Sequence, residues 1–459
     1  MTETSQGKVH FVGMGGIGMS GIAEILLSQG YIVSGSDLKD TPLLERLHRL
    51  GATVSIGHRA ESVLEAETVV FSSAVSRDNP ELVAARRKGL RVLSRGQMLA
   101  ELMGTKQGIS IAGTHGKTTT TSMIAVILLE AGLDPTLLIG ARLPAVGSNA
   151  RAGQGRWLLA ESDESDRSFL LLSPFCTVVT NIDLDHMDEY RDLADLQQAF
   201  LTHMQKVPQN GLVIACRDDP HLSTVLKKLH RPVVTYGLGW GADISAQKLD
   251  LSWPRSVYQC YEGGNCLGRI ELGAPGCHNV VNSLAAVAVG LRVLELSFGV
   301  IQEALAGFQG PERRLQIKGE KHGVCVIDDY AHHPQEVRAA LKACRMTRRR
   351  TVAVFQPHRY SRTQQLMGEL SHCFVDADVL FLTDIYSAGE APLPNVTGER
   401  LAKEISRHRQ VRYLPDRQQL LTALQEESSA DDLLVTLGAG DVWEIGEAFL
   451  AKDEQQEDQ

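Results

Sequence analysis

The stretch Gly108-Ile-Ser-Ile-Ala-Gly-Thr-His-Gly-Lys-Thr-Thr-Thr-Thr121 decides how the chain is read. Gly108 to Ala112 has the apolar run of a buried strand. It leads directly into a glycine turn, Gly113-Thr114-His115-Gly116-Lys117-Thr118-Thr119, and the turn leads into a helix pattern. Such a turn lets backbone amides surround phosphate oxygens. Lys117 would neutralise the β and γ oxygens and Thr118 would hold Mg2+. The common phosphate loop carries a glycine five residues before its second one. Ile111 stands at that place, so the cradle here is shorter. Thr118 to Thr121 open the helix although threonine is a mediocre helix former. A local rule broken in this way is expected where a site takes priority.

Outward from this stretch the chain alternates strand and helix patterns, the rhythm of parallel sheets covered by helices. Upstream, the strand Val9 to Val12 meets a second glycine turn, Gly13-Met-Gly15-Gly16-Ile17-Gly18, before a helix pattern from Ser20 to Gln29. Tyr31 to Gly35 reads as the second strand, and Asp37 follows at its end, about where a ribose-binding carboxylate is needed. Read alone, this motif says NAD, or another nucleotide diphosphate, or a tight turn with no ligand. Downstream, strands are expected at 157–160, 176–180 and 211–215. Residues 233–272 read as a small antiparallel β insertion, and His278 to Leu294 as a helix. A third unit starts near Arg313, with strands at 325–328, 351–355, 379–383 and 433–436.

Polar groups cluster just past these strands, the side on which open α/β sheets bind ligands. Glu161 follows one, with Asp163, Glu164 and Asp166 after it. The segment Asn181-Ile-Asp-Leu-Asp185-His186-Met-Asp188 follows the next. Glu161 and His186 are candidates to meet Thr118 around a metal, although Mg2+ prefers oxygen ligands. In the third unit the clusters are Asp328-Asp329-Tyr330-Ala-His332-His333-Pro334, Gln356-Pro-His-Arg359-Tyr-Ser-Arg362 and Leu437-Gly-Ala-Gly-Asp441. Arg359 and Arg362 offer guanidinium forks suited to a carboxylate or phosphate.

Composition sets outer bounds. At roughly 150 residues per domain, 459 residues suggest about three domains. The 43% apolar and 22% charged fractions are those of a globular protein. A net charge of −9 argues against a nucleic-acid partner held by phosphate neutralisation. The run Arg345, Arg348, Arg349, Arg350 reads as a solvated helix end. None of the eight cysteines forms a Cys-x-x-Cys pair, so a zinc site is not expected, and free thiols suit a reducing cytosol. Residues 1–8 lack the apolar core of an export signal. No apolar run reaches the roughly 18 residues needed to span a bilayer, so no membrane insertion is expected.

The ordered set of motifs resembles the Mur ligase family, cytoplasmic ATP-dependent amide ligases that build the peptide stem of bacterial peptidoglycan. The motifs are Gly13 to Gly18, Gly113 to Thr119, Glu161, Asn181 to Asp188, His278-Asn279-x-x-Asn282, Arg313-Arg314 and Asp328 to Pro334. The resemblance implies three α/β domains. The N-terminal one (1–103) would be Rossmann-like and bind a UDP-sugar through Gly13, Gly15, Gly16, Ile17, Gly18 and Asp37, rather than NAD. The central one (104–312) would be a P-loop ATP-binding α/β domain with a small β insertion. There Gly113 to Thr119 would hold the phosphates and His278, Asn279 and Asn282 would lie near the adenine. Thr118, Glu161 and His186 would bind Mg2+, and Arg314 and Asp329 would reach the nucleotide. The C-terminal one (313–459) would be Rossmann-like and place Tyr330, His332, Arg359 and Arg362 at an incoming amino acid. Lys117, His332, Arg359 and Arg362 would be catalytic.

Within the family, Gly-Met-Gly-Gly-Ile-Gly-Met-Ser-Gly21, Asp328 to Pro334 and His358 to Arg362 resemble the member acting on UDP-N-acetylmuramate and L-alanine. Members that add later residues are expected to carry a carbamylated lysine after the Asp-His-Met-Asp segment. No lysine lies between Leu196 and His203. The alternatives are a recycling ligase that attaches a preformed tripeptide to the same sugar nucleotide, a nicotinamide dehydrogenase and a non-catalytic nucleotide sensor.

Overall fold

The computed structural model describes residues 6–185, 189–239, 241–405 and 411–451. Its strands form three sheets, the first two of which open on the expected βα units. The first contains β1 (Lys8–Val12), β2 (Ile32–Asp37), β3 (Thr53–Ile56), β4 (Thr68–Phe71) and β5 (Arg91–Ser94). These strands are parallel, in the order β3-β2-β1-β4-β5. The chain reverses direction across the sheet at β1, so the glycine turn after β1 sits at a switch point, the usual ligand position.

The central sheet contains β6 (Gln107–Ala112), β7 (Thr136–Leu143), β8 (Ser148–Arg151), β9 (Trp157–Glu161), β10 (Cys176–Val179), β11 (Leu212–Cys216), β12 (Val233–Gly237), β13 (Ile244–Asp250), β14 (Ser256–Glu262) and β15 (Asn265–Leu272). Their order is β15-β14-β13-β12-β11-β10-β6-β9-β7-β8. Ile109, Ile111, Val178, Val179 and Ile214 in its middle are fully buried. Strands covered on both faces need such continuous apolar runs. Residues 233–272 are β-rich, as expected, but β12 pairs with β11 and β13 with β12 in parallel. The stretch therefore extends the central sheet at one edge, and its first half is not antiparallel.

The third sheet contains β16 (Gln316–Lys321), β17 (Val324–Asp329), β18 (Thr351–Phe355), β19 (Val379–Leu382), β20 (Val411–Tyr413) and β21 (Leu433–Leu437), in the order β16-β17-β21-β18-β19-β20. Only the β16–β17 pairing is antiparallel. No described helix is long and apolar enough to cross a membrane.

By contacts the chain forms two compact units. One is Met1–Leu249, Tyr258–Glu271 and Val280–Gln309, and holds the first two sheets. The other is Asp250–Val257, Leu272–Asn279 and Gly310–Gln459, and holds the third. Inside the first unit, the helix Ile17–Ser28 lies against β7 and β8. Ile22, Ile25 and Leu26 share one core with Leu138, Ala150 and Leu158. Asn149 Nδ2 donates to Ile17 O (2.7 Å) and Ser148 Oγ to Glu24 Oε2 (3.0 Å). Gly21 permits this approach, because a Cβ there would lie 2.9 Å from Leu138 Cδ2 and 3.0 Å from Asn149 Nδ2. Gly21→Val is expected to lower unfolding stability by about 1–3 kcal/mol, as overpacking does. Urea denaturation measures it, and an unchanged midpoint would refute the close packing.

Candidate active site

The loop after β6 is held by the segment after β10. Thr114 N donates to Asn181 O (3.2 Å) and His115 N to Asn181 Oδ1 (2.9 Å). Asn181 Nδ2 and Thr180 Oγ1 both donate to His115 O, at 3.0 and 2.6 Å. Asp183 N donates to Thr114 Oγ1 (2.9 Å), and Asp183 Oδ2 lies 3.0 Å from His115 Nε2. Gly113 and Gly116 have φ of 129° and 80°, the left-handed side that glycine tolerates. A Cβ on Gly113 would stand 2.0 Å from Thr180 Oγ1, and one on Gly116 would stand 2.7 Å from Asn282 Oδ1. The helix Lys117–Glu130 then starts from Gly116 with no side-chain cap, so its first amides point into the loop. Thr121 Oγ1 and Ser122 Oγ donate back to Lys117 O and Thr118 O (2.8 Å each). These two hydroxyls are thereby satisfied within the helix, whereas the buried Thr120 Oγ1 has no hydrogen-bond partner.

Lys117 is mostly buried. Its ammonium donates to Gly113 O (2.6 Å), Thr114 O (3.1 Å) and Glu164 Oε1 (2.8 Å). Burial pulls its pKa down, but Glu164, Glu161 and Asp163 outweigh that, and the ammonium is favoured. Burial presses Glu164 up to about 7, against the attraction of Lys117. Asp163 is held below the carboxylate range, because Arg95 (3.0 Å) and Ser165 outweigh its burial.

Thr118 Oγ1 donates to Glu161 at the end of β9, at 2.9 and 3.1 Å from its two oxygens, and Gly140 N donates to Glu161 Oε2 (3.0 Å). A Cβ on Gly140 would lie 2.3 Å from Glu161 Oε2 and 2.9 Å from Thr118 Oγ1. Glycine thus leaves a cradle faced by hard oxygen donors, which fits Mg2+. His186, the expected third ligand, lies outside the described residues. No lysine stands on the helix Leu193–Gln205. Phe200 is fully buried there, edge-on to Phe169 at 5.2 Å.

The turn after β1 is hung on β2. Gly13 N and Met14 N donate to Ser36 O (2.9 Å each), and Gly15 N to Asp37 Oδ2 (2.8 Å). Asp37, expected at a ribose, is thus already an acceptor for the turn itself. Gly16 precedes the helix Ile17–Ser28 with no side-chain cap, leaving Ile17 and Gly18 amides in its first turn.

In the second unit, Asp329 accepts from Leu315 N and Ala331 N (2.8 Å each), which ties the residue after Arg314 to the segment after β17. Arg313 donates to Asp328 (2.9 Å), Gly438 O (2.6 Å) and Gly440 O (3.0 Å). Tyr330, His332, Arg359 and Arg362 come together here. The Tyr330 and His332 rings meet edge-on at 5.5 Å, and His332 lies 5.6 Å from His358. His332 Nδ1 donates to Tyr330 O (3.0 Å), which leaves Nε2 as the basic nitrogen of the neutral ring. Arg359 has φ of 67°, an uncommon backbone for a side-chain-bearing residue; its N donates to Tyr386 O (2.8 Å).

Two further residues join this candidate site: His358, which the sequence offered only as part of a motif and without a role, and Tyr386, which it did not single out. Their rings stack at 5.6 Å, and Arg362 Nη1 donates to His358 Nδ1 (3.2 Å). A guanidinium only donates, so that nitrogen is an acceptor. Burial first, then His332 and the arginines, hold the ring neutral with a pKa of about 3. His278 is also buried and neutral near 4, with Arg314 adding to the effect of burial. Asn279 Nδ2 donates to Pro275 O (2.7 Å). Of the basic run, Arg350 is bound to Glu427 and to Asp432 (2.9 Å), so it ties down the start of β18.

Three family models match the chain in order: the Mur ligase family catalytic domain over residues 8–107, the Mur ligase middle domain over 111–290, and the Mur ligase glutamate ligase domain over 313–440. The chain belongs to the Mur ligase family. It is 50% identical over 450 residues to the UDP-N-acetylmuramate–L-alanine ligase of Trichlorobacter lovleyi, covering 97% of this chain and 98% of that protein. It is 50% identical over 453 residues to the enzyme of the same name from Geobacter sulfurreducens, covering 98% of each. The crystal structure of UDP-N-acetylmuramate–alanine ligase from Thermotoga maritima superposes with a TM-score of 0.84 at 28% identity, over 97% of this chain and 98% of that one. The murein peptide ligase of Psychrobacter arcticus shares the Mur ligase fold, with a TM-score of 0.72 at 22% identity over 97% of this chain and 98% of that one.

Asp329 gives this Mur ligase a titration signature. Burial pushes its carboxyl up to about 6, against Arg314 and the two amides. The unfolded chain loses this proton near the ordinary value of about 4. Between about pH 4 and 6 the native state therefore holds the extra proton, and stability falls as pH rises. Asp329→Asn is expected to flatten unfolding free energy across that window. A slope equal to that of the unmodified protein would contradict the burial.

Proposed function

We propose that this Mur ligase joins L-alanine to the lactyl carboxylate of UDP-N-acetylmuramate, consuming ATP and releasing ADP and phosphate, in peptidoglycan precursor synthesis. The 50% identity to ligases of that name supports the choice of substrates. The observation that carries the chemistry is the buried Lys117 ammonium inside a loop of backbone amides, next to the Thr118–Glu161 oxygen cradle. The division of labour follows the three sheets. Residues 1–103 would take the UDP-sugar on the Gly13 to Gly18 turn. Residues 104–312 would take ATP on Gly113 to Thr119, with Asn279 and Asn282 toward the base. Residues 313–459 would present Tyr330, His332, Arg359 and Arg362 to the amino acid. Eight free cysteines and a need for ATP suit the bacterial cytoplasm.

A carboxylate is a poor electrophile, so it is first phosphorylated. The lactyl oxygen attacks the γ-phosphorus, the bond to the β–γ bridging oxygen breaks, and ADP leaves. Bringing two anions together is opposed by their charge, and Lys117 and the loop amides offset it where charge develops. Thr118, Glu161 and His186 would hold Mg2+, which supplies charge neutralisation on the phosphate oxygens. The neutral amine of L-alanine then attacks the acyl carbon, and phosphate leaves from the tetrahedral intermediate. Arg359 and Arg362 would fix the amino-acid carboxylate. His332 Nε2 would accept the amine proton.

Phosphate release with UDP-N-acetylmuramate, screened across amino acids and the recycling tripeptide, tests the reading. Release with L-alanine and none with the tripeptide is expected, and the reverse would make the chain a recycling ligase. Lys117→Ala is expected to cut turnover by at least about a hundredfold while UDP-sugar binding by calorimetry survives. Loss of both together would contradict the division of labour. Arg359→Ala or Arg362→Ala is expected to raise the KM for L-alanine roughly tenfold or more, the worth of a charge-assisted hydrogen bond. Unchanged kinetics in both would remove the third sheet from the amino-acid site.

A further inference from the structure

We propose that Glu164 is a built-in stand-in for phosphate: a positioning residue that holds the Lys117 ammonium until the triphosphate of ATP takes its place. The inference rests on the reading of Gly113 to Thr119 as the ATP loop. An ammonium has three N–H groups. Gly113 O, Thr114 O and Glu164 Oε1 lie within 2.6–3.1 Å of it and match all three. An incoming phosphate oxygen must therefore take over a position already filled.

The two carbonyls are poor candidates to leave. Gly113 is wedged against Thr180, and Thr114 is bound through its N and its hydroxyl to the Asn181–Asp183 segment. Glu164 is different. Its backbone is anchored, since Tyr190 Oη (2.6 Å) and Arg167 N (3.1 Å) both donate to Glu164 O. Its side chain alone makes the contact to Lys117, so the contact can break by rotation without moving the loop.

The neighbouring carboxylates are engaged elsewhere. Asp163 is paired with Arg95 and accepts from Ser165, and Glu161 accepts from Thr118 and Gly140. Glu164 is also 1% exposed, so its charge is poorly screened. A second anion arriving at the same ammonium is repelled by it until the carboxylate withdraws or takes up a proton. Burial already presses the group toward its neutral form. The pair keeps the ammonium charged and aimed at the phosphate position in the absence of nucleotide, and it competes with ATP for that position.

The sign of the effect separates this role from a structural one. If Glu164 only braced the loop, removing its charge would weaken nucleotide binding. As a competitor, its removal strengthens binding. ATP binding to the full chain is measured by calorimetry for the unmodified protein, Glu164→Gln and Glu164→Asp. The expected order of Kd is unmodified, then Asp, then Gln, with Gln at least threefold tighter than the unmodified protein. Asp keeps the charge but is one methylene shorter, so it carries the test if Gln does not fold. Binding by either folded variant that is equal to or weaker than the unmodified protein overturns the stand-in role and leaves the ATP loop in place. No ATP binding by the unmodified protein overturns the loop assignment itself.

Discussion

A lysine ammonium removed from water must be given acceptors in fixed positions, and the first unit is built around that requirement. Burying an unpaired charge costs several kcal/mol, and Lys117 avoids it through two loop carbonyls and Glu164. Each of these acceptors needs support of its own. Asn181 and Thr180 hold the loop from the end of β10. The glycines at 113 and 116 leave room where Thr180 and Asn282 press in. Thr118 and Glu161 close the other side. The ends of three parallel strands, β6, β9 and β10, and one helix start thus converge on one charged group, and the same geometry suits a phosphoryl group in transit.

Much of this was legible because it is local. The strand, glycine turn and helix around Gly113, and the similar unit around Gly13, are written in consecutive residues, so their type and place follow from pattern alone. Edge strands were harder. β3, β16 and β20 escape pattern reading because they are short or largely solvent-facing, with few apolar positions to mark them. β12 and β13 carry strong strand signals, but their parallel direction depends on pairing with β11, which lies outside their own sequence.

The site shows the same division. Lys117, Thr118 and Glu161 lie in recognisable positions. Glu164 stood in the acidic run after β9, yet nothing in that run distinguishes it from Asp163 or Asp166. Only the fold turns Glu164 toward Lys117 and Asp163 toward Arg95. His358 was next to two arginines that drew attention, and its meaning comes from Tyr386, 28 positions away in sequence and stacked on its ring. Asp37 is the instructive opposite: its position suggested a ribose ligand, and the structure commits one oxygen to Gly15 N. Short-range motifs locate a site, whereas charge partners assembled from distant segments decide how each group is held.

The central claim is that the carboxyl group is activated by passing through an acyl phosphate on the Lys117 loop. Substrate labelled with 18O in the lactyl carboxylate tests it directly. Phosphate released during a single turnover with ATP and L-alanine is analysed by mass spectrometry. One labelled oxygen per phosphate is expected, because the oxygen that attacks the γ-phosphorus departs with it. Unlabelled phosphate, with amide product formed in equal amount, would contradict the account.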